Sequence, residues 1–155
     1  MKTKLSILVL CAASFCTLVS CDKKTKEPDT LLGTQTTPIW SVSSDNNLTS
    51  SMTAVISVDL TTVYTVNQLS ANNYRLTEED MLAAFSGNQC LGVTEMEDNL
   101  FYLYISAPAD EEAITFKYYS SALKKIFVSD EVPFANDTQL GTPENPFYPI
   151  FVTAE

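Results

Sequence analysis

The sequence contains no histidine, and its nine lysine and arginine residues are outnumbered by nineteen aspartate and glutamate residues. Without histidine, neither a Ser-His-Asp triad nor a Cys-His pair can form, and the commonest metal ligand is missing. The net charge is -10, and the basic residues from Gly33 onward are Arg75, Lys117, Lys124 and Lys125. A groove that follows a phosphate backbone needs many cationic side chains, so the composition excludes nucleic acid as a partner.

Acidic side chains are abundant, but their spacing gives no catalytic pattern. Adjacent pairs such as Glu78 and Glu79 would point to opposite faces of a strand. A glycosidase needs two carboxyl groups that flank one bond. We therefore expect a protein that is not an enzyme, and a carbohydrate-active enzyme is the less favoured alternative.

Long hydrophobic runs are also scarce, and the clearest one occupies residues 5–19, after Lys2 and Lys4. It is too short for a permanent transmembrane helix and has the charge pattern of a secretory signal peptide. It ends in Leu18-Val19-Ser20-Cys21, which resembles the lipobox of bacterial lipoproteins. The resemblance implies that residues 1–20 are cleaved off and that Cys21 carries lipid chains such as palmitate. Two or more chains anchor a protein stably in a membrane.

This interpretation leaves one cysteine of the four. Cys11 and Cys16 would leave with the signal peptide, and Cys21 would carry the lipid. Cys90 then has no partner for an internal disulfide. Free cysteines are among the most buried residue types, so we expect Cys90 to be a small buried apolar residue.

Residues 21–37 are rich in Lys, Thr, Glu, Pro and Asp and hold few large apolar side chains. Such a segment cannot bury enough surface to offset its chain entropy, so we predict a flexible tether. Asp29-Thr30-Leu31 resembles the acceptor of O-glycosylation systems in Bacteroidetes, which would make Thr30 a modification site. Because the chain is acidic, membrane contact should come from the lipid and not from the domain surface.

Residues 38–155 show the apolar patterns of strands, and we predict one all-β domain there. The apolar segments lie at 52–58, 63–66, 81–85, 90–94, 101–105, 114–119, 126–128 and 150–152. Short loops join these roughly eight strands, which favours an antiparallel β-sandwich. Gly87-Asn88 predicts a tight hairpin. Residues 77–80 could begin a helix, but a turn that leads into a strand at Met81 is favoured.

Three of these segments together resemble a small β-sandwich module common in secreted and lipid-anchored proteins of Bacteroidetes. They are DMLAAFSGNQCLGV at 80–93, LFYLYI at 100–105 and ITFKYY at 114–119. Members often read Asp-Glu-Cys-Arg-Gly where this chain reads Asn88-Gln89-Cys90-Leu91-Gly92. The resemblance implies an immunoglobulin-like or similar sandwich with an accessory, non-catalytic role. We expect Phe85 to anchor the core and Gly92 to allow a close backbone approach.

The aromatic residues are the best candidates for binding. If Phe101, Leu103 and Ile105 face inward, then Tyr102 and Tyr104 must face outward together. Outward tyrosines can stack on sugar rings or pack against a partner protein. The alternation in the segment 114–119 places Tyr119 outward as well. The predicted binding residues are Tyr102, Tyr104, Tyr119 and Trp40.

Oxygen-rich turns suggest calcium as a second possibility. Calcium prefers six to eight oxygen ligands, and the candidate carboxylates are those of Asp45, Asp80, Asp98 and Asp137. The spacing does not match an EF-hand loop. A site assembled from two loops would correspond to a calcium-binding lipoprotein of C2-like or PLAT-like architecture.

Together these features predict a lipid-anchored binding or adhesion module of the cell envelope. Its partner would be a glycan or another envelope protein. We expect an outer-membrane lipoprotein, and whether it faces the periplasm or the outside stays open. The calcium-binding lipoprotein is the first alternative and the carbohydrate-active enzyme the second.

Overall fold

The computed structural model describes residues 36–42, 44, 47–59 and 75–153. The predicted signal peptide, the tether up to residue 35 and the predicted strand at 63–66 lie outside these ranges. Nine strands and no helix are found in the described ranges. The strands are β1 Ser50–Ile56, β2 Met81–Ser86, β3 Gln89–Glu95, β4 Phe101–Ala107, β5 Ala113–Ser120, β6 Lys125–Ser129, β7 Val132–Pro133, β8 Thr138–Leu140 and β9 Phe151–Thr153.

The strands form two sheets, as an antiparallel sandwich requires. Sheet A has the order β4-β1-β8, and sheet B has the order β3-β2-β5-β6-β9, with β7 paired to β5. Strand β1 runs antiparallel to β4 but parallel to β8. The predicted all-β sandwich is confirmed.

The central core lies between the two sheets. Sheet A contributes Met52, Ala54, Ile56, Phe101, Leu103 and Ile105, and sheet B contributes Leu82, Ala84, Leu91, Ile114, Phe116, Tyr118, Phe127 and Phe151. The ring of Tyr118 lies 6.0 Å from Phe101, 6.0 Å from Phe127 and 5.7 Å from Phe151, measured between centroids. Burying a large apolar side chain stabilises a fold by about 1.5–3 kcal/mol. The alternating aliphatic and aromatic residues therefore decide which face of each strand turns inward.

The hairpin between β2 and β3 follows its sequence signal. Gly87 has a φ of +54° and is the first of two loop residues, the position that favours glycine in a type II′ turn. The preceding turn also forms as expected, because the backbone N–H of Asp80 donates to the carbonyl oxygen of Thr77 at 2.9 Å. Strand β2 begins directly afterwards. The choice of a turn over a helix at 77–80 is confirmed.

Strand β3 approaches β4 closely at Gly92. A Cβ atom on Gly92 would lie 2.4 Å from the backbone oxygen of Tyr104, a separation that real Cβ atoms do not tolerate. The expected close approach is confirmed. The neighbouring Cys90 is a free, buried cysteine whose thiol donates to the carbonyl oxygen of Gly92 at 3.6 Å. Burial raises the pKa of the Cys90 thiol, and the positive charge of Lys117 offsets this only in part.

Candidate functional site

An exposed pair of tyrosines marks the outer face of sheet A. Tyr102 is 41% and Tyr104 is 64% exposed, whereas Leu103 and Ile105 between and beside them are buried in the core. The predicted alternation along β4 is confirmed. Alternate residues of a strand are roughly 7 Å apart, so the two rings stand side by side on one surface.

The register of sheet A places polar side chains beside Tyr104, whereas Tyr102 is paired with the buried Val55. Tyr104 is paired with Thr53 of β1, and Thr53 is paired with Gln139 of β8. One step along the same face, Ser106 is paired with Ser51. We call the surface formed by Tyr102, Tyr104, Ser106, Ser51, Thr53 and Gln139 the tyrosine face.

The tyrosine face is aromatic and polar but carries no formal charge on these six side chains. The amide nitrogen of Gln139 donates to the carbonyl oxygen of Gly141 at 2.9 Å, which holds that side chain in place. A ring face flanked by hydroxyl and amide groups suits a sugar, because the C–H groups of the sugar pack on the aromatic ring while its hydroxyls form hydrogen bonds.

The prediction that Tyr119 joins this surface is wrong. Tyr119 lies on β5 in sheet B and is only 1% exposed. Its hydroxyl lies 3.4 Å from the hydroxyl of Thr37 in a hydrogen bond. The segment 36–42 passes over the outer face of sheet B, so an outward side chain there is buried as well. Alternation placed Tyr119 on the correct face of β5 but could not show that this face is covered.

Trp40 packs against the outer side of sheet B and is not part of the tyrosine face. Its ring meets the ring of Phe85 edge to face, with 5.9 Å between centroids and an interplanar angle of 76°. The ammonium nitrogen of Lys117 lies 4.0 Å from the centroid of the same Phe85 ring. Phe85 is buried, as expected of an anchor, but in a smaller cluster with Ala83 and Cys90 on the outer side of the sheet. The four predicted aromatic binding residues therefore do not form one site.

Asp80, a candidate calcium ligand, has a structural role. Its side chain is completely buried. The carboxylate oxygens accept from the hydroxyl of Tyr118 at 2.8 Å and from the backbone N–H groups of Ser121 at 2.8 Å and Thr77 at 3.2 Å. The hydroxyls of Ser121 and Thr77 lie at 2.9 and 3.1 Å. These protein donors occupy the oxygens that a cation would need, and they tie the start of β2 to the end of β5.

The other calcium candidates are not brought together. Asp98 and Asn99 have positive φ angles of 51° and 64° in the turn before β4, as in a type I′ turn. Asp137 lies at the opposite end of sheet A, where its backbone N–H donates to the carbonyl oxygen of Ser51 at 2.8 Å. Phe101, which follows the turn with Asp98, is paired with Ile56 of β1. Ile56 and Ser51 are roughly 17 Å apart along the strand, so Asp98 and Asp137 are far apart. Asp45 is outside the described residues.

No cluster of three or more Cys, Asp or Glu side chains suited to a metal occurs in the described part of the chain. Asp98 and Asp137 lie at opposite ends of sheet A, so one two-loop calcium site cannot include both. Sequence reasoning named the tyrosines but missed their polar neighbours Thr53 and Gln139. No local signal could have revealed those neighbours, because they reach the tyrosines through the pairing of β1 with β4 and the parallel addition of β8.

Comparison with family models, curated proteins and solved structures found no match. The resemblance to the sandwich module of Bacteroidetes accordingly stays a prediction. Among the described residues, none lies in a helix long and apolar enough to cross a membrane.

Proposed function

We propose that this protein is a lipid-anchored module of the cell envelope that binds a glycan through its tyrosine face and does not act as an enzyme. The observation that carries the proposal is the exposure of Tyr102 and Tyr104 side by side, at 41% and 64%. Large aromatic side chains are costly to leave in water and are common at binding surfaces.

The chemistry of the tyrosine face favours a neutral ligand. Its hydroxyl and amide groups can exchange hydrogen bonds with sugar hydroxyls, and no cationic side chain is present in the face to pair with an acidic sugar. The chain as a whole has a net charge of -10, which repels anions at a distance. We therefore expect uncharged polysaccharides to bind better than sulfated or uronic ones.

The position of the N-terminal segment supports a role at a surface. Thr37 and Trp40 contact the outer side of sheet B, whereas the tyrosine face lies on the outer side of sheet A. The segment 36–42 therefore leaves the tyrosine face uncovered. A flexible tether over residues 21–37, with a mean reach of about 20 Å, would let that face turn toward a partner.

Three other assignments have less support. A protein partner could use the same tyrosines, but the hydroxyl and amide neighbours favour a sugar. A calcium-binding role of the C2 or PLAT kind would need carboxylates that converge, whereas Asp98 and Asp137 lie at opposite ends of sheet A and the Asp80 carboxylate already accepts from protein donors. A glycosidase would need two carboxyl groups on the binding face, and the six residues of the tyrosine face include none.

The proposal is tested by binding the lipidated protein, held in detergent micelles, to a panel of neutral and acidic polysaccharides. Tyr102→Ala and Tyr104→Ala should each weaken binding about tenfold, in line with roughly 1–1.5 kcal/mol for an aromatic contact. Val152→Ala is the control, since Val152 is 47% exposed and lies on β9 of sheet B. Undiminished binding by the Tyr102, Tyr104 double variant would rule out this surface.

The anchor itself needs a separate experiment. Wild-type protein should partition into the detergent phase and show the added mass of acyl chains on Cys21, because two or three chains give lasting membrane attachment. Cys21→Ser should remain in the aqueous phase. A wild-type protein that carries no lipid would refute the anchor without bearing on the tyrosine face.

A further inference from the structure

A cavity on the outer side of sheet B is distinct from the tyrosine face. Its volume is about 380 Å³, and it is lined by Ile39, Trp40 and Ser41 of the segment 36–42 and by Phe85, Asn88, Gln89 and Cys90 of the β2–β3 hairpin. Pockets for small molecules span roughly 300–1,000 Å³. The size therefore suits one small ring and not a folded chain.

The lining residues combine an aromatic wall with two amides. Trp40 and Phe85 supply the apolar surface, and the hairpin loop supplies the side chains of Asn88 and Gln89. A carboxamide offers both a donor and an acceptor, so it can bind two neighbouring hydroxyl groups at once. An indole beside such amides can pack against the C–H face of a sugar ring.

The site is also electrically neutral. None of the lining side chains is an acid or a base apart from the thiol of Cys90, and burial raises the pKa of that thiol. Lys117 places its ammonium group over the ring of Phe85. It is not among the residues that line the cavity. A charged ligand would thus find no partner of opposite charge in the wall.

The wall is held in place before any ligand arrives. Trp40 is fixed edge to face against Phe85, and the loop that carries Asn88 is a tight turn with its positive φ at Gly87. A site that is already ordered loses little conformational entropy on binding. We infer that this cavity is a second binding site and that it takes a single neutral sugar ring.

Because Trp40 is the only tryptophan in the chain, its fluorescence reports on this cavity. The lipidated protein in micelles would be titrated with the methyl glycosides of glucose, galactose, mannose and N-acetylglucosamine at millimolar concentrations. At least one should produce a saturable change in Trp40 emission. The absence of a saturable change with all four would overturn the inference.

Variants then locate the response. The double variant Asn88→Asp with Gln89→Glu keeps the side-chain shapes but replaces amide donors with carboxylates, so it should weaken the titration at least about tenfold. Asn145→Ala, an exposed amide in the loop between β8 and β9, is the control and should change nothing. A response that persists in the double variant would contradict the proposed site.

The outcome is separable from that of the tyrosine face. Tyr102→Ala and Tyr104→Ala should leave the fluorescence titration unchanged, because both side chains lie on sheet A. Loss of the Trp40 response in those variants would show that one ligand contacts the tyrosines, and would overturn the assignment of an independent second site. Failure of polysaccharide binding at the tyrosine face would not affect this result.

Discussion

The outward aromatic side chains are exposed on sheet A and buried on sheet B. Sheet A exposes Tyr102 and Tyr104, whereas sheet B covers Tyr119 and Phe85 with the segment 36–42. Both sheets have the same alternation of inward and outward residues. The difference shows that an outward aromatic residue is available for binding only where no other part of the chain lies over it.

Polar groups follow the same division. In sheet B the buried carboxylate of Asp80 and the buried hydroxyl of Tyr118 bind each other, and Lys117 lies over an aromatic ring. Within the described ranges, no buried side-chain nitrogen or oxygen lacks a hydrogen-bond partner. Sheet A instead exposes the hydroxyl of Thr53 and the amide of Gln139 on the tyrosine face. We expect substitutions in sheet B to change stability and substitutions in the tyrosine face to change binding.

The largest effect should come from Asp80→Asn, which tests the hidden polar groups of sheet B. The carboxylate of Asp80 now accepts hydrogen bonds from Tyr118, Ser121 and Thr77. In the variant, the amide nitrogen would itself be a donor, so it would face some of these donors without being able to accept from them. Leaving buried donors unpaired costs about 1–3 kcal/mol each, so the free energy of unfolding should fall by about 3 kcal/mol in urea titration. Asp98→Asn makes the same chemical change in an exposed turn and should fall within about 0.5 kcal/mol of wild type. Equal effects of the two changes would break the comparison.

Gly92→Ala tests the junction where β3 of sheet B passes β4 of sheet A. The added Cβ would lie 2.4 Å from the backbone oxygen of Tyr104, and overpacking of this kind costs about 1–3 kcal/mol. We expect a loss near the upper end, because the atom it meets belongs to the backbone. Thermal unfolding would measure it. Gly87→Ala is the control: its Cβ meets no atom within 4 Å, so only the positive φ opposes it, at about 1 kcal/mol. A loss at Gly92 no greater than at Gly87 would argue against the close approach.

A direct contrast of the two faces pairs Trp40→Ala with Tyr104→Ala. Removing Trp40 uncovers Phe85 and should lower the free energy of unfolding by about 2 kcal/mol, less than the 3–5 kcal/mol of a fully buried aromatic residue. Removing Tyr104, which is 64% exposed, should change it by less than about 0.5 kcal/mol. Denaturant titration of both variants would suffice. If Tyr104→Ala proved the more destabilising of the two, the tyrosine would be a packing residue.

The smallest effect concerns Cys90, beneath the cover of sheet B. Because burial raises the pKa of this thiol, its alkylation by iodoacetamide should remain slow at pH values where an exposed thiol reacts readily. The thiol has a higher pKa in the folded protein than in the unfolded chain, so the folded state holds its proton more tightly. The resulting stabilisation is fully present below the unfolded pKa and is lost as the pH rises through the folded pKa. Stability should thus decline more steeply with alkaline pH in wild type than in Cys90→Ala. Rapid alkylation of the folded protein near neutral pH would contradict the raised pKa of the Cys90 thiol.

Local patterns in the sequence predicted much of this structure. Period-two alternation gave β4 and the outward direction of Tyr102 and Tyr104, and the glycine in Gly87-Asn88 gave the hairpin between β2 and β3. These features depend on neighbouring residues and on one apolar face. Strand β8 was not predicted, because Thr138-Gln139-Leu140 is short and largely polar and forms a strand by pairing with the distant β1.

The sequence by itself determined the strand pattern, the inward faces and the acidic, histidine-free surface chemistry of this protein. Only the tertiary structure decided that Tyr119 is covered by a segment about eighty residues away in the chain. It also decided that protein donors bind the carboxylate oxygens of Asp80 and that Thr53 and Gln139 lie beside Tyr104. Each of these depends on which distant segments pack together. Local residue preferences carry no record of such pairings, since many partners could bury the same apolar face equally well.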